Sequence, residues 1–505
     1  MNPDIVRARR VGRTAAGSVL MVTLIALSTS APRTAQAQLV TPKTVPVFQG
    51  GQFDILPSAT AGMGGISIAV DDSLADAYVN PAKATRIRSG TFFAAPFRHS
   101  VSGERGGGRS LPLGGATSIG SWSVAGIFAL QQVDRAGPMR FSQVLSDRTA
   151  SNQYLSLSVA RSLGRGVSLG VNGSFAALGA VDGVDLLYGG SDHISQSGSS
   201  SDIRIGLTKD FAPEKALEVM LVHSRYQNTH DVHFRNSVWD PVAKKPIITD
   251  RTDRNEDRTQ IWGAHAEYTQ PLNDNGWRIG WLGTINKLSH PKIPNYVLQS
   301  IPRDPGSTMA FNAGVGLSRV FGGSMFGFDL IHEPMSSETW ADAAGDTAIV
   351  GGGTIKAGGK TVENEFTFRN TMVRVGFGHD FVVAKDSSSK LGIQLGMGVY
   401  SINYQLNQTN NVQKTYREQR ENWLEWTPTI GISFRTRAMQ VRYNYSSTCA
   451  GRNCMEFGGG DRVNVVQPRS GFDAAGGIIA APSSALTFDG GTAKIHKFWI
   501  SVPIK

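Results

Sequence analysis

Leu391-Gly392-Ile393-Gln394-Leu395-Gly396-Met397-Gly398-Val399 decides the fold. Every odd position is apolar and every even one is glycine or glutamine, the period of a β-strand whose two faces meet different surroundings. Val167 to Phe175 repeats it, with Val167, Leu169, Val171 and Phe175 against Ser168, Gly170, Asn172 and Ser174. Met309 to Leu317 sets Met309, Phe311, Ala313, Val315 and Leu317 against Asn312, Gly314 and Gly316. Met439, Val441, Tyr443 and Tyr445 oppose Gln440, Arg442 and Asn444. Such runs extend over about 10 to 13 residues, beyond the 5 or 6 usual in soluble sheets and close to the 9 to 11 that cross a bilayer at a tilt.

The links between runs are of two kinds. Short ones fall at Ser118–Ser121, Gly164–Gly166, Ala212–Lys215, Pro271–Asn275, Phe321–Gly323, Ala384–Ser389 and Thr436–Arg437. Long ones fall at Val133–Asn152, Gly179–Ser200, Gln227–Arg258, Leu288–Thr308, Met335–Phe366, Leu406–Trp423 and Ser447–Ala493. The two kinds alternate strictly, which is the asymmetry of a transmembrane antiparallel β-barrel with short periplasmic turns and long extracellular loops. Counting from Thr91–His99 and Arg109–Ala116 to Lys494–Val502 predicts an all-β barrel of 16 strands, or 14 without the first two, weaker segments. Trp262, Tyr268, Trp277, Trp281, Trp426, Tyr443 and Trp499 fall near strand ends, as girdle aromatics do.

Composition agrees with that reading. Of 505 residues 58 are glycine and 18% are charged, against usual shares of about 7% and 25%. Arg7, Arg9, Arg10 and Arg13 precede the uncharged run Ala15–Leu27, and Ala35-Gln36-Ala37 follows as a small-x-small cleavage site. Residues 1–37 therefore read as a secretory signal peptide. Its removal leaves 45 Lys and Arg against 39 Asp and Glu, a net +6. No basic block accompanies that excess, which argues against nucleic acid as a partner. The mature chain has no apolar run long enough for a transmembrane helix, so a membrane-spanning form has to be a closed barrel in the bacterial outer membrane, with its lipid as partner.

Residues 38–90 do not alternate. They contain Ala61-Gly62-Met63-Gly64-Gly65-Ile66-Ser67-Ile68-Ala69-Val70-Asp71-Asp72 and Ala75-Asp76-Ala77-Tyr78-Val79-Asn80-Pro81-Ala82. Small residues allow close backbone packing, and Asp71-Asp72 and Asn80-Pro81 suit the ends of a short helix over Ser73–Val79. A compact insert ahead of the first strand fits a plug within the lumen, with the barrel following over 91–505. The stretch resembles the N-terminal hatch signature of the FadL-type outer-membrane transporter superfamily, matching at Gly62, Gly64, Gly65, Asp71, Asp72, Tyr78, Asn80, Pro81 and Ala82. The resemblance implies passive uptake of small hydrophobic molecules, such as fatty acids or hydrocarbons, through a lumen gated by the hatch, without a cofactor. A lateral gap in the wall would release the ligand into the bilayer. PorV-type barrels share the signature, which implies as the alternative a docking partner for secreted or periplasmic proteins. The chain departs from the pattern in Lys83 and Ala84, where the family has Gly and an apolar residue. It departs also in 16 strands rather than 14, and in ending on Lys505 rather than an aromatic.

Other candidates are weaker. Gly166-Val167-Ser168-Leu169-Gly170 matches a serine-hydrolase elbow, but it lies inside an alternating strand where no sharp turn exposes Ser168. His230-Asp231-Val232-His233, with His223 upstream, reads as a solvated loop that lacks a full metal-ligand set. Cys449 and Cys454, the only cysteines, are expected to close a disulfide in a surface loop of an exported protein. Arg204, Glu218, His265, Glu267, Arg278, Arg374, Gln394, Gln440, Arg442 and Asn444 are expected to face the lumen. Their mixed signs suit charge pairs that line or pin a plug. No nucleophile and base come together in the sequence, so no enzymatic activity is expected.

Overall fold

The computed structural model describes residues 52–72, 75–101, 107–134, 149–181, 192–290, 306–383, 389–450 and 491–504. The expected signal peptide, its cleavage site, Cys454 and Lys505 lie outside them.

Sixteen antiparallel strands form one closed ring. β1 comprises Gly90–Ala94 and Phe97–Val101, and is followed by β2 (Gly107–Ile119), β3 (Trp122–Asp134), β4 (Thr149–Gly164) and β5 (Val167–Leu178). β6 (His193–Ala212), β7 (Lys215–Asp240), β8 (Lys245–Pro271), β9 (Trp277–His290) and β10 (Gly306–Phe321) continue the wall. β11 (Ser324–Asp342), β12 (Lys360–Val382), β13 (Lys390–Asn410), β14 (Thr415–Arg435), β15 (Gln440–Ala450) and β16 (Gly491–Ile504) complete it. Each strand pairs with its sequence neighbours, and β16 closes on β1 from Gly90↔Ile504 to Phe97↔Lys497 in one register. The two halves of β1 are one strand interrupted at Pro96, which has no N–H for the ladder. The wall stays sealed there, because Phe498 N donates to Pro96 O at 2.9 Å and Ala95 N to Pro112 O at 2.8 Å.

The pleat sorts side chains as the alternation requires. On the outer face Leu395 is 53% exposed, Phe175 52% and Val502 49%, a belt of apolar side chains that only lipid would cover. Ser168, Asn172 and Arg374 on the inner face are buried. Among the described residues no helix is long and apolar enough to cross a membrane. All short turns lie at one end of the ring, together with the start of β1 and the end of β16.

Two expected long loops, and the flanks of a third, are instead strand. β7 and β8 pair out to Asp240↔Lys245, β13 and β14 to Asn410↔Thr415, and β11 and β12 to Asp342↔Lys360. Beyond the bilayer both faces meet water, so period two vanishes from the sequence while the hydrogen-bond ladder continues. His230 to His233 are accordingly part of β7 rather than a loop. The odd spacing sends His230 to the inner face and His233 to the outer, where it stacks on His193 with ring centroids 4.1 Å apart. Two side chains on opposite faces cannot share an ion. Trp499 also corrects its reading as a girdle residue, because it is buried inside the ring against Tyr78 and Phe93.

Candidate functional site

The described residues from 52 to 86 lie within the ring. Their regular elements are a short 3-10 turn (Ala61–Met63), a single α-helical turn (Asp76–Val79) and a second 3-10 stretch (Pro81–Arg86). A Cβ added to Gly170 would strike the main chain of Pro81 and Ala82, and one on Gly316 would strike Ile68. On Gly376 and Gly396 it would strike Met63 and Gly64. These glycines sit on β5, β10, β12 and β13, so the segment presses on walls around the ring through positions that only hydrogen can occupy. Gly64 and Gly65 themselves have φ of +76° and +70°, conformations that favour glycine. They let the chain turn while Gly64 N donates to Thr429 Oγ1 at 2.8 Å, and Thr429 Oγ1 donates to Gly62 O at 3.0 Å.

Most of the inward-facing polar residues read from the sequence meet this segment. Arg374 donates to Gly65 O at 2.6 Å and stands 3.9 Å from Asp329, whose carboxylate accepts from Ser67 N at 2.7 Å. Gln394 Nε2 donates to Ala59 O at 2.9 Å, and Arg442 donates to the same carbonyl. Arg278 pairs with Asp71 at 2.8 Å. Arg204 Nη1 donates to Val79 O at 3.3 Å and Nε to Asp202 at 2.6 Å. Glu218 is 3.0 Å from Lys83 Nζ and accepts from Asn80 Nδ2 at 3.4 Å. His265 bonds Thr284 Oγ1 at 2.7 Å and stands 4.0 Å from Glu267, so these two face inward without a bond to the segment. Gln440 and Asn444 also lie on the inner face of β15, opposite Ser501 and Lys497.

The motif residues build the segment's own fold. Asp72 accepts from Ser58 Oγ at 2.6 Å, Ala59 N at 2.9 Å and Ala75 N at 3.2 Å, tying three pieces of chain together. Tyr78 sends its hydroxyl to Gly115 O and Gly126 O, each at 3.3 Å. Asn80 caps the turn that follows by accepting from Ala82 N at 3.2 Å. Ser168 takes a bond from Thr85 Oγ1 at 2.9 Å, and Cys449 lies on β15 opposite Thr492.

Sequence reasoning missed the ionic core of the contact. Lys83 bridges Asp76 at 3.4 Å and Glu218 at 3.0 Å, while Arg86 reaches Asp210 at 2.8 Å, Glu218 at 3.5 Å and Asp71 at 3.6 Å. The sequence offered one signal, a lysine standing where the motif has glycine. Burial pushes the Asp76 carboxyl up to about 7, although Lys83 pulls it down. The seated segment therefore holds a proton on Asp76 between about pH 4 and 7 that a released chain gives up. So far as Asp76 sets it, seating is tighter at pH 5 than at pH 8. Asp76→Asn is expected to flatten that difference, read as protease access to residues 52–86 at the two pH values. An unchanged difference would remove Asp76 from the account.

Two apolar regions line the inner wall toward the long-loop end. One joins Phe366, Phe368, Tyr404 and Leu406 with Met335 and Trp423 on β11 to β14. The other joins Ile55 of the segment with Phe97, Tyr154, Leu178 and Tyr226. Beside the latter, a cavity of about 40 Å³ is lined by Phe53, Ile55, Leu56, Tyr78, Tyr154 and Arg204, among others.

No protein-family model matches the chain, and no curated protein matches it. Solved structures do. A FadL homologue of Pseudomonas aeruginosa is 11% identical at a TM-score of 0.40, over 92% of this chain and 99% of that one. The P. putida toluene transporter TodX is 10% identical at 0.39, over 88% and 97%. The E. coli ferric-catecholate import receptor Fiu, in its open form, is 10% identical at 0.36, over 82% and 81%. A likeness of this degree takes in barrels with different cargoes and assigns none of them to this chain.

Proposed function

We propose that the protein is a channel for passive uptake of small hydrophobic molecules, fatty acids, hydrocarbons or similar, across the bacterial outer membrane, with residues 38–90 as its hatch. The observation that carries this reading is the chemistry of the inner wall. A lumen that passes water-soluble solutes is lined with polar groups. Here Phe366, Phe368, Tyr404 and Leu406 form an apolar cluster on an otherwise polar inner face, and Phe53, Ile55 and Leu56 bring apolar surface from the segment itself. A greasy ligand gains about 25 cal/mol for each Å² it removes from water against such a surface. Entry from the long-loop side and movement of the segment would complete the path, with no covalent chemistry required.

Purified protein in liposomes should speed the entry of labelled fatty acids, alkanes or aromatics. Phe366→Gln with Leu406→Gln should slow it at least tenfold, since an amide placed in this apolar cluster costs free energy unless it is hydrogen-bonded. Absence of acceleration across all three ligand classes would overturn the reading.

A further inference from the structure

Arg98 on β1 stands directly opposite Arg109 on β2, and on its other side directly opposite His496 on β16. Lys494 lies one step along the same face of β16, between Ser100 and Ser447. All four are exposed on the outer face. The row begins where the apolar belt ends, because Leu111 is the next outward residue on β2 and Phe498 the next on β16. It lies at the long-loop end of the belt, the level of the outer leaflet's headgroups.

Like charges directly opposite one another on neighbouring strands destabilise a sheet. Other parts of the wall match opposite charges instead. In the β7–β8 ribbon Arg235 faces Asp250 at 2.9 Å and Arg254 faces Asp231 at 2.7 Å, each cation matched by an acid in register. No ion pair among the described residues includes Arg98, Arg109 or Lys494. Two neighbours hold the row in place: Arg109 Nε donates to Gln132 Oε1 at 2.7 Å, and His496 Nδ1 bonds Tyr443 OH at 2.8 Å. A phosphate spanning two guanidinium groups turns the repulsion into charge-assisted hydrogen bonds, and its acyl chains would continue down the belt over Leu111, Leu113, Phe498 and Ile500.

We infer that the outer face of β16, β1 and β2 docks a phosphorylated lipid of the outer leaflet through Arg98, Arg109 and Lys494. The inference is independent of what passes through the lumen. Its test measures binding of a bisphosphorylated acyl-glucosamine lipid to the full-length protein in zwitterionic detergent. The same lipid without phosphates and inorganic phosphate alone are run beside it. The phosphorylated lipid should bind at least tenfold more tightly than the dephosphorylated one, weaken as salt rises, and resist competition by millimolar phosphate. Arg98→Gln with Arg109→Gln and Lys494→Gln should bring the two lipids within twofold of each other. Arg98→Lys with Arg109→Lys should keep most of the preference. Should the triple variant not fold, Arg98→Gln alone carries the test, with at least a threefold loss expected. Equal binding by wild type and variant, or binding of inorganic phosphate as tight as the lipid, would overturn the inference.

Discussion

Replacing Gly396 by valine should open the lumen to ions while leaving the ring of strands folded. A side chain at this position points inward from β13 onto the main chain of Met63 and Gly64, not onto a flexible side chain that could move aside. Gly376, on the neighbouring strand, meets the same stretch of backbone. Overpacking a core commonly costs about 1–3 kcal/mol, and an added group that lands on main chain leaves no rotamer to relieve it. The segment must then leave its seat, losing the bonds from Thr429 and Arg374 to Gly62 and Gly65. Barrels of 16 to 18 strands enclose an aqueous channel unless something fills it. Wild-type protein in planar bilayers should be nearly silent, and Gly396→Val should show a persistent open conductance. The outer belt and the ladders are untouched, so the variant should still show the mobility shift on heating that marks a folded barrel. Gly173→Ala serves as control, because a Cβ there meets nothing within 4 Å. A variant as silent as wild type would mean that the glycine cradle does not seat the segment.

The ring was legible because each membrane-crossing strand writes its environment into its sequence twice per pleat. Leu391 to Val399 shows apolar side chains to lipid and small ones to the lumen, and short turns of Gly164-Arg165-Gly166 kind punctuate the runs. Sixteen strands, rather than the 14 that the family resemblance implies, follow from that count. Legibility ends at the bilayer surface. The β7–β8 ribbon carries Val238, Trp239 and Ile248 exposed among charged residues, and with water on both faces nothing forces alternation.

The lumen contacts were partly legible. Parity alone put Arg374, Gln394 and Arg442 on the inner face, but the atoms they meet are backbone carbonyls, which no side-chain pattern encodes. Parity places glycines on the inner face without saying what they meet, whereas Gly170, Gly316, Gly376 and Gly396 mark where the segment's chain presses on the wall. Lys83 was legible only as a departure from the pattern, because its partner Glu218 is remote in sequence.

That lysine supports the second large prediction. Lys83→Met keeps the length of the side chain and removes its charge, leaving Glu218 without that counter-charge in a space where Lys83 itself is only 9% exposed. Glu267 stands directly opposite Glu218 on the next strand and offers it no counter-charge. Breaking a buried pair by removing one partner costs about 3–5 kcal/mol, because the remaining charge has neither water nor a counter-ion. At about 1.4 kcal/mol for each tenfold, seating of the segment should weaken by two to three orders of magnitude. The measurement is the fraction of channels conducting at rest, with protease access to residues 52–86 as a second readout. Arg86 stays within 3.5 Å of Glu218 and offsets part of the loss. Removing the orphaned charge as well, in Lys83→Met with Glu218→Gln, should recover much of the quiet state, since a neutral pair leaves less to desolvate. Lys83→Arg should stay close to wild type. If Lys83→Met is as silent and as protected as the parent protein, the ion pair is ornament, and the glycine cradle alone holds the segment in place.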